Sequence, residues 1–272
     1  MKRLAAILAM TLLFAVPCYA AAQNLRVDFY DVGKADAMLI TTPQGHRILI
    51  DAATNKEGKK LVERFKKEGV SYLDMMIITH YDKDHVGGAD HVLENIDVGT
   101  VVMPVYDKES KQHTQFVEAL AKHPPQQVDE MGTRAQRAYA SGDGVEMAIT
   151  SAHERSYGSD EENDFSLAVR MKFGETTFLF AGDAENARQL ELLAEGNVKC
   201  DVLKVPYHGR YEKSSPAFIA EAAPEIAFIH DDEEDPADSR VLALLEQAGA
   251  KAYCAKDGDL TVYSDGTNVW TE

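Results

Sequence analysis

The sequence predicts a layered α/β fold, and three observations carry the prediction. From residue 25 onward, short apolar segments alternate with amphipathic helical ones. The alternation occurs in both halves of the chain, with no short internal repeat and no low-complexity linker. Several apolar segments end abruptly in histidine or aspartate. A chain of 272 residues, 45% hydrophobic and 27% charged, suits one domain built from two α/β halves.

The amino terminus stands apart. Lys2 and Arg3 precede an apolar run from Leu4 to Val16, Pro17 breaks it, and Cys18 to Ala22 offers small residues for cleavage. That is the anatomy of a secretory signal peptide, and the run is short for a membrane span. The expectation is a signal over 1–22, a mature domain over 23–272, and a secreted or periplasmic protein without a membrane attachment after processing. An uncleaved anchor is the alternative. Losing Lys2 and Arg3 takes the net charge from −17 to about −19. So acidic a surface repels polyanions, and no basic stripe is present. Stable nucleic-acid binding is therefore not expected, whereas hydrolysis of a weakly held substrate remains open. Cys200 and Cys254 remain in the mature part without a Cys-x-x-Cys pair, so a structural zinc module is unsupported. Export would permit a disulfide between them without requiring one.

The elements follow in order. Leu25, Val27 and Phe29 alternate as a half-buried strand, Ala37–Thr41 and His46–Ile50 continue a meander, and Pro43-Gln44-Gly45 turns it. Lys59–Glu68 is an amphipathic helix stopped by Gly69. Tyr72–Thr79 is a buried strand, followed by a helix over Gly87–Glu94 and a strand over Val98–Met103. Between Pro104 and Asp143 the pattern weakens, and apart from a helical stretch at Gln115–Ala121 a surface insertion is expected. Strands follow at Val145–Thr150, Ser166–Phe173 and Thr177–Ala181, then a helix at Glu185–Ala194. Asp201–Pro206 is a strand, and Ser214–Ala222 a helix capped by Ser214 or Ser215 with Pro216 in its first turn. Glu225–Ile229 is a strand, Asp231–Asp238 an acidic flexible run, Arg240–Gln247 a helix, and three short strands close the chain.

Chemistry concentrates at strand ends. After the apolar run of Met75–Ile78 come His80, Asp82, Asp84 and His85, four metal-capable side chains within six residues, and then Gly87-Gly88. Further donors end other strands: Asn163 and Asp164 in an acidic loop, Asp183, and His208. Imidazole with carboxylate suits zinc, with manganese or iron as alternatives. Asp183, offering one oxygen to each of two ions, is able to hold a pair roughly 3.5–4 Å apart, which would activate water and clamp attacking and leaving oxygens. Asp31 and Asp36 read as turn formers or partners of ligands, and Asp51 as a residue orienting a ligand histidine.

The same residues resemble a known family. Thr79-His80-Tyr81-Asp82-Lys83-Asp84-His85-Val86-Gly87-Gly88 resembles the His-x-His-x-Asp-His signature of the metallo-β-lactamase superfamily, with Asp82 at the second histidine. That replacement is similar to the hydrolase domain of ComEC-type competence proteins. Five further blocks resemble that branch: Asp31-Val32-Gly33-Lys34-Ala35-Asp36, Ile48-Leu49-Ile50-Asp51, Glu162-Asn163-Asp164-Phe165-Ser166, Phe180-Ala181-Gly182-Asp183-Ala184-Glu185 and Asp201-Val202-Leu203-Lys204-Val205-Pro206-Tyr207-His208-Gly209. Tyr207 and Arg210 depart from its His-His-Gly-Ser pattern.

The resemblance implies a four-layer αββα sandwich with metals at one edge. It places His80 and Asp82 on a first metal, Asp84, His85 and His208 on a second, and Asp183 between them. The cofactors it implies are two divalent ions, zinc or else manganese. Asn163, Asp164 and His230 are candidates for metal or substrate contact. The implied activity is hydrolysis by a metal-held hydroxide positioned by Asp84 and Asp183, on a phosphodiester that is either a small molecule or nucleic acid. A lactam or lactone hydrolase and a non-catalytic metal-binding protein are the alternatives.

Overall fold

The computed structural model describes residues 24–158 and 162–272. The signal-like segment over 1–22 lies outside the described residues.

The first sheet begins with a meander: β1 (Leu25–Phe29), β2 (Met38–Thr41) and β3 (Arg47–Ile50). It continues in parallel through β4 (Tyr72–Ile77), β5 (Asp97–Pro104) and β6 (Gln127–Met131). The second sheet repeats the plan. β7 (Gln136–Ala140), β8 (Val145–Thr150), β9 (Ala168–Phe173) and β10 (Thr176–Phe180) run antiparallel, and β11 (Val202–Lys204), β12 (Ile226–Ile229) and β13 (Lys251–Cys254) follow in parallel. β14 (Leu260–Ser264) and β15 (Val269–Thr271) return to the first sheet, where β14 pairs with β1.

Helices make the parallel crossovers, as parallel pairing requires. α1 (Asn55–Lys67), α2 (Ala89–Asn95) and α3 (Lys111–Lys122) serve the first sheet; α4 (Asn186–Glu195), α5 (Ser215–Ala222) and α6 (Ser239–Gln247) serve the second.

Three apolar layers hold these elements together. Within β2 and β3, Met38, Ile40, Ile48 and Ile50 enter the layer between the sheets, while Leu39 and Leu49 face the helices. Phe29 from one sheet stacks on Phe228 from the other with ring centroids 4.9 Å apart. Leu61, Val62, Phe65, Val92 and Phe116 cover the first sheet, and Leu192, Phe218, Ile219, Val241 and Leu245 the second. Strands buried on both faces must be apolar at successive positions, which is why β2, β3 and β4 read as runs rather than clean alternations. The order helix, sheet, sheet, helix is the expected αββα sandwich.

Local departures from the sequence reading have local causes. Residues 104–143 are not an insertion: β6 and β7 close one edge of each sheet. Both are edge strands with mostly exposed side chains, so the apolar pattern there is faint. α1 starts four residues early because Thr54 caps it, its Oγ1 accepting from the Glu57 amide. Ser214 stands at the N-cap of α5 but makes no side-chain cap bond; its hydroxyl donates to Gln189 Oε1 at 2.8 Å. The acidic run after β12 is folded: Asp231 is fully buried, its carboxylate accepting from the Ala237 amide, and Asp232 accepts from the amides of Glu234 and Asp235. Cys200 and Cys254 are free thiols.

The consequence for function is a matter of placement. Asp51 follows β3, His80–His85 follow β4, Asp183 follows β10, His208 follows β11 and His230 follows β12. Parallel strands deliver the residues after their C-terminal ends to one edge of the sandwich.

Candidate metal centre

The loop after β4 is held by close backbone packing. A Cβ on Gly87 would stand 2.1 Å from the Lys83 carbonyl oxygen, and one on Gly88 2.2 Å from that of Ala52. Neither position has room for a side chain, so the loop turns at once into α2. The Asp36 amide donates to the Asp84 carbonyl, and the Ala52 amide to that of His85.

His85 is fixed from behind. Its Nδ1 donates to Asp51 Oδ2 at 2.8 Å, and Asp51 itself accepts from the Thr79 amide and hydroxyl at 2.8 and 2.7 Å. Asp51 adopts φ 56°, a left-handed conformation unusual for a side-chain-bearing residue and typical of functional sites. The anchored ring turns Nε2 toward Asp183 Oδ2, 3.3 Å away.

His208 is fixed in the same manner. It follows Tyr207 in a left-handed turn, with φ 53° and 51° in succession. Its Nδ1 donates to the His230 carbonyl at 2.9 Å, leaving Nε2 2.9 Å from Asp183 Oδ2 and 3.5 Å from Asp84 Oδ2. A carboxylate thus sits between two buried imidazoles, each locked through its other nitrogen. Histidine ligands of metals are oriented in this way.

Asp183 takes the Lys204 ammonium on Oδ1 at 3.3 Å, and its amide donates to the Ser166 hydroxyl. Lys204 is fully buried; it also donates to the Gly182 carbonyl at 2.9 Å and pairs with Asp36. Asp36 lies behind the rings, with Oδ2 3.8 Å from Nδ1 of His85 and Oδ1 3.7 Å from Nδ1 of His208. Donor atoms of Asp36, His85, Asp183 and His208 all fall within 4.8 Å of one another. Yet Asp36 faces the anchored nitrogens, not the Nε2 pair. His85 and His208 both aim Nε2 at Asp183 Oδ2, Asp84 Oδ2 stands 3.5 Å from His208 Nε2, and Asp36 and Asp51 lie on the anchored side of the rings.

The electrostatics follow from this crowding. Burial works against charge on His85, but Asp183, Asp36 and Asp51 outweigh it and hold the imidazole well above its usual range. His208 is likewise pushed up to about 9, Asp183 overcoming burial. Asp183 lies well below the carboxylate range despite burial, because His208, His85 and Lys204 surround it. Asp84 is also depressed: burial works against its charge, but the hydrogen bond to His208 together with the charges of His85 and His208 outweighs it. In the metal-free chain, protons on two imidazoles balance the carboxylates. A divalent cation would replace those protons.

His80 and Asp82 are arranged differently. His80 is fully buried, its Nδ1 near the hydroxyls of Thr79 and Ser166 at 3.1 and 3.3 Å. Its Nε2 has no hydrogen-bond partner among the described residues. Burial, then the neighbouring His85, drives its pKa down to about 4, so it is a neutral donor. Asp82 Oδ2 lies 4.0 Å from that nitrogen, but Asp82 Oδ1 accepts from Lys108 Nζ at 2.9 Å.

The other candidates have other surroundings. Asp164 is buried and accepts from the Arg188 amide at 2.9 Å, at the start of α4. Asn163 donates to Glu185 Oε1 at 2.7 Å and keeps its own oxygen buried without a partner among the described residues. His230 is fully buried beside Phe228, with Nδ1 3.2 Å from Asp36 Oδ1, so it stands beneath the site rather than at its mouth. Lys204, Ser166 and Lys108 were not singled out from the sequence. Lys204 left one signal, a lysine inside the apolar strand Val202-Leu203-Lys204-Val205.

The profile of the Metallo-beta-lactamase superfamily matches residues 30–230, which span the site from before Asp36 to His230. The chain belongs to the metallo-β-lactamase superfamily. Within it, the chain is 27% identical over 241 residues to ComE operon protein 3 of Bacillus subtilis, covering 81% of this chain and 30% of that protein. It is 27% identical over 209 residues to Recombination protein 2 of Haemophilus influenzae, covering 75% of this chain and 24% of that one. It is also 27% identical over 204 residues to competence protein ComA of Neisseria gonorrhoeae, covering 74% and 26%. The chain therefore spans under a third of the length of these relatives.

Among solved structures, Igni18, a metallo hydrolase of Ignicoccus hospitalis, superposes with a TM-score of 0.55 at 17% identity, covering 88% of this chain and 98% of that one. Zinc-bound PqqB of Methylobacterium extorquens does so with 0.54 at 12%, covering 86% and 99%. These likenesses concern the metallo-β-lactamase fold. The competence-type resemblance read from Asp82 and the later blocks agrees with all three curated relatives.

Proposed function

We propose that this protein is an exported metal-dependent hydrolase acting on a phosphodiester. The observation that carries the metal reading is Asp183 Oδ2, set between the Nε2 atoms of His85 and His208 at 3.3 and 2.9 Å with Asp84 alongside. These four side chains would hold the ion. Zinc is the first choice for two imidazoles with carboxylates, and manganese the second. Bound there, a divalent ion supplies Lewis acidity and makes water a nucleophile near neutral pH.

The chain's own groups have distinct tasks. Asp183 is kept ionised against burial by His208, His85 and Lys204 and its backbone is held through Ser166, so it meets substrate as a fixed anion. The Asp84 side chain is the most open of the four, 19% exposed against 4% or less for the others, and so is placed to accept a proton from attacking water. Lys108, partly exposed beside Asp82, offers a cation to an anionic substrate. The phosphodiester preference rests on likeness to competence-type relatives and on that cation. The acidic mature chain favours a small or weakly held substrate. Export rests on the 1–22 pattern. Among the described residues no helix is long and apolar enough to cross a membrane.

The test is hydrolysis of bis-p-nitrophenyl phosphate, a single-stranded oligonucleotide and nitrocefin by wild type and Asp84→Ala. Turnover of either phosphodiester, lost in the variant, is expected. Turnover of nitrocefin alone would overturn the phosphodiester reading in favour of lactam hydrolysis.

A further inference from the structure

The carboxylate that Asp82 would offer a first metal beside His80 is already paired with protein charge. Lys108 Nζ lies 2.9 Å from Asp82 Oδ1 and also pairs with Glu162, whose side chain is 38% exposed. Lys108 itself is mostly covered, its side chain 18% exposed. Asp183 would need to lend an oxygen to a first metal, but its Oδ1 accepts from Lys204 while Oδ2 faces His85 and His208. A dication entering between His80 and Asp82 meets the orphaned Nε2 of His80 and the Oδ2 of Asp82, 4.0 Å from it, with the Lys108 ammonium already on the same carboxylate. Both carboxylates that would complete its set carry an ammonium on one oxygen, Lys108 on Asp82 Oδ1 and Lys204 on Asp183 Oδ1, so the charge a dication would neutralise is already met. At the neighbouring position no lysine touches Asp84 or Asp183 Oδ2 among the described residues, and both histidine Nε2 atoms are aimed inward.

We propose that Lys108 substitutes for the first metal, so that the chain loads one divalent cation, at Asp84, His85, Asp183 and His208. The ammonium keeps a positive charge beside Asp82 without a second ion. An ammonium is a compact cation with several donors, able to face a substrate anion as well as to hold a carboxylate. The inference rests on the metal-hydrolase reading above. It adds that Lys108 and the first metal exclude one another.

The experiment is metal stoichiometry by native mass spectrometry and elemental analysis, on the mature chain equilibrated with zinc and then with manganese. Wild type should carry one ion per chain. Lys108→Ala, and Lys108→Gln as a second variant should alanine disturb folding, should take up a second ion, with second-site affinity raised at least about tenfold. Adding His80→Ala to either variant should return it to one. Two ions on the wild type would overturn the inference and leave the hydrolase reading standing. One ion on wild type and on both Lys108 variants would also overturn it, because Lys108 would not be what excludes the second. No ion on the wild type would sink both readings.

Discussion

His80 and His85 stand side by side, ring centroids 4.0 Å apart and both fully buried, yet their surroundings have opposite effects. His85 and its counterpart His208 are each anchored through Nδ1, face a shared carboxylate and are held strongly basic. Among the described residues His80 faces no carboxylate within hydrogen-bond reach, and burial holds it neutral, its pKa lowered to about 4. The difference lies in which side chains answer the loop. Asp183 and His208 come from the second sheet and complete the His85 position. The His80 position is answered by Lys108 and Glu162. Burial alone therefore does not make a metal site; a converging set of oriented donors does.

The largest effects should come from breaking the anchored position. Asp183→Ala and His208→Ala are each expected to lose bound metal and to reduce hydrolysis to background, as elemental analysis and the phosphodiester assay would show. Retained metal in both variants would remove the distinction between the two positions. Next is Lys204→Met, which leaves Asp36 buried without its ammonium. Removing one partner of a buried pair should destabilise the metal-free protein by about 3–5 kcal/mol in urea melts. Asp51→Asn should come third. It keeps the shape but weakens the hold on His85, and metal affinity should fall about 10–100-fold by competition with a chelator, with the fold intact.

The smallest and most discriminating effect is in pH. His208 rises from 6.5 to about 9 on folding. A raised histidine stabilises the folded metal-free chain fully below about 6.5, and that contribution fades as pH rises through about 9. In chelator, wild type should therefore lose stability between these values by more than His208→Gln does. For the metal-loaded protein the trend should weaken, because the ion stands where the proton was.

The readable parts of this molecule were those with dense local patterns. β2 to β4 are buried on both faces, so their apolar runs stand out, and the ligand loop follows one of them directly. Asp183 and His208 were legible for the same reason, each following a buried strand closely. β6 and β7 were not, because edge strands facing solvent carry no strong period. Asp36 was legible as a supporting residue, but its partner was not: nothing local tells that Lys204 reaches across to it from the other sheet, 168 positions away in the chain. Asp82 was visible as the unusual residue in its motif. The reason it matters, Lys108, lies in the weakly patterned stretch after β5, 26 positions away.

The metal position we propose is the one at His85 and His208. Anomalous diffraction at the zinc edge, from crystals of residues 23–272 grown with zinc, tests that position. One peak within coordination distance of His85 Nε2, His208 Nε2, Asp183 and Asp84 is the predicted result. A peak between His80 and Asp82, with nothing between His85 and His208, would contradict it.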